Sequence, residues 1–243
     1  MADSDPTSPE FFDALSENYE DTVTHGTKLV DGDDHYLTRY KIELTKEIKA
    51  EAFQILDFGA GVGLSQKYIQ KLFPTSIYSA TDTSEKSLAK LKSNFPNVIT
   101  KSPEQLFRED KNYYDLIYVS CVFHHIKPIK RKEILTSLYE CLADGGSLII
   151  FEHNPYNPLT QIVVKTSPID KGVVLLTKSE LCSLGGELND LSYSWGYTVF
   201  FPSFLRELRK YERKYLRKFW LGAQYYVHFK KTKDKKNFSS QCD

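Results

Sequence analysis

No run of apolar residues in this 243-residue chain approaches the roughly 18 needed to cross a bilayer, so no membrane-spanning helix is expected. The opening stretch from Met1 to Glu10 is acidic where a secretory signal would be basic and then apolar, which predicts a cytoplasmic protein. Cysteine is scarce. Cys121, Cys141, Cys182 and Cys242 stand apart with no C-x-x-C pair, which argues against a disulfide framework and a structural zinc centre. Reduced, mostly buried thiols are expected, and no metal site. Net charge is absent too, with 32 basic residues against 32 acidic ones, and no reader motif of a sequence-specific nucleic-acid binder is present. Internal repeats are missing. A hydrophobic content of 41% excludes disordered, collagen-like and coiled-coil chains and suits one large domain over residues 1–243.

The charges that cancel overall are unevenly placed. Residues 1–34 hold ten acids against the single base Lys28, whereas from Arg206 onward twelve bases face four acids. Such a distribution lets the two ends approach each other or lets the basic end contact an anionic surface peripherally.

Between the ends, short runs rich in Ile, Val, Leu and aromatics alternate with helical stretches closed by Gly or Pro, the pattern of a doubly wound, mostly parallel α/β sheet. Strands are predicted at Phe53–Phe58, Ser76–Thr81, Asn97–Thr100, Tyr114–Ser120 and Ser147–Glu152. Helices are predicted at His35–Ala50, Val62–Phe73, Ser84–Asn94 and Ile129–Ala143. From His153 to Thr177 the Asn-Pro and Ser-Pro steps disfavour helix, so a long loop with one short helix is expected, of the kind that serves as a lid. A helix from Lys178, a strand at Tyr193–Phe201, a helix at Ser203–Phe219 and a strand at Ala223–Phe229 complete the order. The Ser203–Phe219 helix sets Phe204, Leu208, Tyr211, Tyr215 and Phe219 on one face, expected to pack on the sheet with the basic residues in water.

The most informative segment is Ile55-Leu56-Asp57-Phe58-Gly59-Ala60-Gly61-Val62-Gly63-Leu64, at the turn from the first predicted strand into its helix. Glycines there let a ligand approach the backbone and the free amides at the helix start. A dinucleotide fingerprint would put its third glycine at position 64, which is Leu64, and Asp57 would repel a pyrophosphate but attract an ammonium. Asp82 ends the second strand, where an acid can accept hydrogen bonds from ribose hydroxyls. Asp57 and Asp82 together describe a ligand with a cationic end and a ribose end, such as S-adenosylmethionine.

At this point the sequence resembles the class I S-adenosylmethionine-dependent methyltransferases, over roughly Phe53 to Glu152. The matching motifs are Leu56-Asp57-Phe58-Gly59-Ala60-Gly61-Val62-Gly63, Thr81-Asp82-Thr83-Ser84, Tyr114-Asp115-Leu116-Ile117 and Val122-Phe123-His124-His125-Ile126. Phe11 to Tyr19 resembles the opening segment of small-molecule members. The resemblance implies a seven-strand sheet whose last strand runs antiparallel, with residues 1–50 and 153–177 capping the core at 53–152 and residues 178–243 completing it. It implies that Asp57 and the loop Gly59, Ala60, Gly61 and Gly63 hold the methionyl part, that Asp82 and Thr83 hold the ribose, and that Tyr19 closes over the sulfonium. Ser120 belongs to the same cofactor set. Where the family places an Asp and an amide donor for adenine, this chain has Ser102 and Pro103. Proline has no N–H, so Ser102 and Glu104 are the expected adenine contacts.

A hydroxyl acceptor benefits from a base, and His153, His125 and His124 all follow predicted strands at the carboxyl edge. His153 is favoured because it heads the irregular loop, in which Asn154 and Tyr156 are expected substrate contacts. Asn154-Pro155-Tyr156 lacks the second proline of the amino-group methyltransferase motif and follows the wrong strand, which disfavours a nucleobase or amide acceptor. A small molecule methylated on oxygen, such as a sugar, glycolipid or other metabolite, is expected. The alternatives are a nicotinamide-dependent oxidoreductase and a cofactor-binding protein without catalysis.

Overall fold

The fifth and fourth strands, buried on both faces, read as near-continuous apolar runs, as strands covered by helices on both sides must. In the computed structural model, which describes residues 5–16, 35–170, 172–188, 191–201 and 203–232, seven strands form one sheet. They are β1 (Gln54–Phe58), β2 (Ile77–Thr81), β3 (Ile99–Lys101), β4 (Tyr114–Ser120), β5 (Leu142–His153), β6 (Leu191–Thr198) and β7 (Gln224–Lys231), in the order β3-β2-β1-β4-β5-β7-β6. Strands β1 to β5 pair in parallel, and β7 lies antiparallel between β5 and β6. The expected α/β architecture with its antiparallel last strand is therefore present.

Because side chains alternate across a strand, each face of the sheet carries its own core. On one face Leu56, Phe58, Ile117, Val119, Leu148, Ile150 and Val227 are buried against α5 (Pro103–Glu109), α6 (Pro128–Cys141) and α8 (Lys178–Gly186). On the other, Ile55, Tyr78, Leu116, Tyr118, Ile149 and Phe151 meet Tyr40, Ile42 and Leu44 of α2 (Tyr36–Ile48), together with α3 (Gln66–Leu72) and α4 (Glu85–Asn94). Strand order reverses between β1 and β4, and the crevice at their carboxyl ends is where such sheets bind ligands.

Four elements differ from expectation. Helix α1 (Pro9–Leu15), capped by Ser8, and α5, with a Ser102–Gln105 capping box behind Pro103, are short helices that periodicity does not reveal. Helix α6 ends at Cys141, before the Asp144-Gly145-Gly146 stop, although Gly145 takes the expected left-handed conformation at φ 75°. The Ser203–Phe219 helix is absent: Ser203–Tyr211 is 3₁₀, non-helical at Leu205, and Glu212–Leu216 is a π-turn. The buried Glu212 carboxylate accepts the amides of Val199, Phe200 and Phe201 at 3.2, 3.0 and 3.0 Å, which holds this turn against the end of β6. The two faces are also reversed. Phe204, Leu208, Tyr211, Tyr215 and Phe219 are exposed, while Arg209 and Arg213 stack on Tyr36 and Tyr40 at 3.7 and 4.7 Å and Arg213 pairs with Glu43 and Glu47. Among the described residues, no helix is long and apolar enough to cross a membrane.

Candidate functional site

The turn after β1 runs through three left-handed glycines, Gly59 (φ 74°), Gly61 (φ 54°) and Gly63 (φ 91°), a path that side chains with a Cβ resist. At Gly59 a Cβ would also lie 2.4 Å from Val122 Cγ2. At Gly63 it would meet Leu91, so this glycine serves packing of α4 on the loop and does not line the cavity. The amides of Gly59 and Ala60 donate to Thr81 O, and that of Gly61 to Asp82 Oδ2 at 2.8 Å, tying the β1 loop to the end of β2. Ala60 is buried and its amide is spent in that bond.

A cavity of about 570 Å³ opens over this loop. Gly59, Gly61, Asp82 and Thr83 form one end. Ser120, Cys121 and Val122 form the middle, and Phe12, His125, Ile126 and Lys127 the other end. Helix α1 adds Phe12 to its wall: Asp13 Oδ1 accepts from the Ser84 hydroxyl at 2.6 Å and Phe12 packs edge-on against His125 at 5.1 Å. Asp82 presents its carboxylate here. Its Oδ1 accepts the Ser84 amide at 2.9 Å, and burial raises its pKa while the Ser84, Gly61 and Thr83 amides oppose the shift.

Asp57 sits differently from expectation. It is buried behind the loop, away from the cavity wall, where Tyr78 donates its hydroxyl to Oδ2 at 2.7 Å and Ser65 gives a second hydrogen bond. Burial pushes its carboxyl up to about 7 against those two bonds, with Asp82 adding to the rise. It therefore braces the loop from below and is not among the residues lining the cavity.

Cys121, which sequence reasoning left as an ordinary thiol, lines the cavity at φ 58° directly after β4. Burial raises its pKa, but the buried Lys41, with Nζ 3.4 Å from Sγ, and His153 outweigh it and bring the thiol to about 6. Lys41 also donates to Ser120 Oγ at 2.9 Å. Cys141 and Cys182 are buried as expected, and Cys242 lies outside the described residues.

The three histidines part company. His153, expected beside the transferred methyl group, is hydrogen-bonded to Cys121 on the side away from the large cavity and lines a separate space of about 70 Å³ with Asn157, Thr160 and Gln224. His124 is buried between two carboxylates. Its Nδ1 meets Glu152 Oε2 at 2.6 Å and its Nε2 meets Asp170 Oδ1 at 3.2 Å. Burial lowers its pKa, but Glu152 and Asp170 prevail and raise it to about 10. His125 alone of the three faces the large cavity, with Nδ1 3.2 Å from Pro6 O and Nε2 3.4 Å from Asp170 Oδ1. Burial draws its pKa down against Asp170. Asp170, which no periodicity or motif singles out, joins both rings from the loop after α7 (Pro158–Thr166), the helix inside the expected lid.

Other expected contacts are elsewhere. Ser102 spends its hydroxyl capping α5 on the Gln105 amide at 3.3 Å, and Glu104 is exposed; Pro103 between them lines the cavity. Asn154 is buried, donating to Trp220 O and Gly222 O at 2.7 Å each, and its Oδ1 accepts from the Tyr156 amide, so it fastens the base of the lid and has no atom left for substrate. Tyr156 is 60% exposed and lines neither cavity. The lid reaches the large cavity's neighbourhood through Asp170 rather than by covering it. Tyr19 lies outside the described residues.

Residues 56–148 match the family model described as a methyltransferase domain. No curated protein matches the chain. Among solved structures, a SAM-dependent methyltransferase from Thermotoga maritima is similar with a TM-score of 0.65 at 14% identity, over 92% of this chain and 99% of that one. A SAM-dependent methyltransferase from Archaeoglobus fulgidus gives 0.60 at 18% identity, over 80% and 93%. The plantazolicin methyltransferase BpumL, in complex with a monoazolic desmethylPZN analog and SAH, gives 0.62 at 17% identity, over 93% and 96%. At these identities the likeness shows the shared fold, and the family match covers the strand-and-loop unit from β1 to β5 that builds the cavity. Residues 56–148 thus match a methyltransferase domain, and the chain shares the fold of S-adenosylmethionine-dependent methyltransferases of known structure.

Proposed function

We propose that the chain is a single-domain enzyme that transfers a methyl group from S-adenosylmethionine to an oxygen of a small molecule. The observation that carries this reading is the single cavity that joins the Gly59–Gly61 loop and Asp82 at one end to Phe12, His125 and Lys127 at the other. At the first end the Asp82 carboxylate, already oriented by two amides, offers its remaining lone pairs to ribose hydroxyls. The other end is the acceptor's. The whole cavity, at about 570 Å³, has the volume of a small-molecule site, and His125 together with Lys127 and Lys130, paired with Asp5 and Glu133, suits a hydroxylated metabolite. Sulfonium methyl transfer depends chiefly on alignment, worth about 7 to 11 kcal/mol in well-oriented reactions, so a cavity that holds donor and acceptor in line supplies most of what the reaction needs.

The experiment pairs calorimetry with turnover. S-adenosylhomocysteine should bind with one site per chain while NADH does not. Methyl-labelled S-adenosylmethionine should then label hydroxylated metabolites, sugars and glycolipids included, in preference to amine and amide analogues of the same size. Absence of S-adenosylhomocysteine binding would overturn the cofactor assignment. Labelling confined to nitrogen acceptors would overturn the oxygen assignment.

A further inference from the structure

We propose that His124 Nε2, His125 Nε2 and Asp170 Oδ1 bind a divalent transition-metal ion, zinc being the best match to the donor set, at the acceptor end of the cavity. The hydrogen bonds around the three groups fix which atoms are left over. Glu152 is buried, and its Oε1 accepts the amides of Val122 and Phe123 at 2.9 and 2.7 Å, so it stands as a carboxylate and its Oε2 can only accept. The proton in the 2.6 Å contact therefore sits on His124 Nδ1. Likewise the Pro6 carbonyl can only accept, so His125 Nδ1 carries the proton of that contact. Each ring is then left with Nε2, and both Nε2 atoms converge on one oxygen of Asp170. Either protons on the two Nε2 atoms or a cation between them would satisfy this convergence on Asp170, and the spacing separates the two.

The spacing suits a cation. All three donor atoms lie within 4.8 Å of one another, with Nε2–Oδ1 separations of 3.2 and 3.4 Å. Ligands about 2.0 to 2.2 Å from a tetrahedral ion stand about 3.3 to 3.6 Å apart. A charge-assisted N–H···O bond is shorter, about 2.7 to 2.9 Å; the His124–Glu152 contact, at 2.6 Å, is at least that short, and the two Asp170 contacts, at 3.2 and 3.4 Å, are longer. The surroundings are those of a metal site as well. Metal-bound histidines hand their second N–H to a carboxylate or a backbone carbonyl, and here Glu152 and Pro6 take those two places. Two histidines and one carboxylate leave a coordination position open, the arrangement of catalytic rather than structural zinc. His125 borders the cavity, and the His125 and Asp170 side chains keep 11% and 14% of their surface exposed, so the open position faces the space given to the acceptor. An acceptor oxygen is its natural fourth ligand. That last role rests on the proposed oxygen acceptor; binding of the ion does not.

The test uses the full-length protein after dialysis against a chelator. Co²⁺ is titrated in while its visible d–d absorption is followed, Zn²⁺ binding is measured by competition, and S-adenosylhomocysteine affinity is measured separately on every variant. One equivalent of Co²⁺, displaced by Zn²⁺, is expected. Asp170→Asn and His125→Ala should each weaken binding by about 100-fold or more, and Glu152→Gln, which alters only the partner of His124, by about 10- to 100-fold. The His125 side chain is 11% exposed where that of His124 is fully buried, so its truncation is the less disruptive change and carries the test even if Asp170→Asn fails to fold. No stoichiometric Co²⁺ or Zn²⁺ binding by the wild type, or undiminished binding in His125→Ala, overturns the proposal and leaves a protonated histidine network in its place. Loss of S-adenosylhomocysteine binding alone would strike the cofactor assignment and leave the metal site standing.

Discussion

The Gly61 amide donates to Asp82 Oδ2 at 2.8 Å, so the glycine loop that follows β1 is fastened to the acid that ends β2. One carboxylate thus shapes the loop and faces the cavity at once. Asp82→Ala should weaken S-adenosylhomocysteine binding by about 1.5 to 3 kcal/mol, the worth of hydrogen bonds to a charged acceptor. Isothermal calorimetry reads this directly, and an unchanged affinity would remove Asp82 from the ribose site.

Gly59 is constrained twice, by φ 74° and by Val122 Cγ2, which lies 2.4 Å from the point a Cβ would occupy. Gly59→Ala should destabilise the fold by about 2 to 4 kcal/mol, combining left-handed strain with overpacking. Adding Val122→Ala should restore only the overpacking share. Thermal or urea unfolding of the single and double variants checks this; full recovery in the double variant would show that the backbone conformation costs nothing.

Asp57 makes stability depend on pH. Its folded-state pKa of about 7 lies above the ordinary value of 3.8, so the protonated carboxyl is the form the fold prefers. The stabilising contribution is fully present below about pH 4 and is lost as the pH rises through about 7. Tyr78, Ser65, Tyr118 and Asp82 surround the group, and Asp82, also raised, adds a dependence of the same sign. Asp57→Asn keeps an acceptor for Tyr78 and removes the titration. The wild type should therefore lose stability relative to Asp57→Asn between about pH 4 and pH 7 and level off above, by at most about 4 kcal/mol. Parallel denaturation curves across that range would contradict the assignment.

Cys121 should alkylate as a thiolate near neutrality. With its pKa at about 6 in place of 9.0, iodoacetamide labelling should rise with pH through about 6 and level off, where an unperturbed thiol would still be gaining. Bound S-adenosylhomocysteine should protect it, because Cys121 lines the same cavity. Lys41→Met should move the profile upward by withdrawing the ammonium 3.4 Å from the sulfur. Mass spectrometry of the labelled peptide decides the matter.

Asn154 holds the lid's base to the turn before β7 through two carbonyls. Asn154→Ala should cost about 2 to 4 kcal/mol by leaving Trp220 O and Gly222 O without donors, and Asn154→Asp should cost more by setting a carboxylate against them. Unfolding midpoints rank the two. An aspartate variant as stable as wild type would mean that the turn can move away.

The sequence by itself determined the sheet and the cofactor loop. Strand and helix periods, the three glycines and the acids at the carboxyl ends of β1 and β2 are local signals, set by backbone sterics and side-chain alternation within a few residues, and Tyr114–Ser120 is a strand with the bounds its pattern predicts. Tertiary structure decided everything that depends on which distant groups meet. Asp57 carries the residue type of a ligand contact, yet Tyr78 and Ser65 occupy it from behind the loop. His153 ends β5 whereas His125 lies in the turn beyond β4, and the packing of α1 and that turn puts His125 on the cavity and His153 behind Cys121. The aromatic stripe of 204–219 has helical spacing, but Glu212 binds three amides at the end of β6 and turns that stripe outward. Asp170 lies 46 residues beyond His124 in an irregular loop, and no spacing rule can announce a contact that exists only once the lid folds across the end of β4.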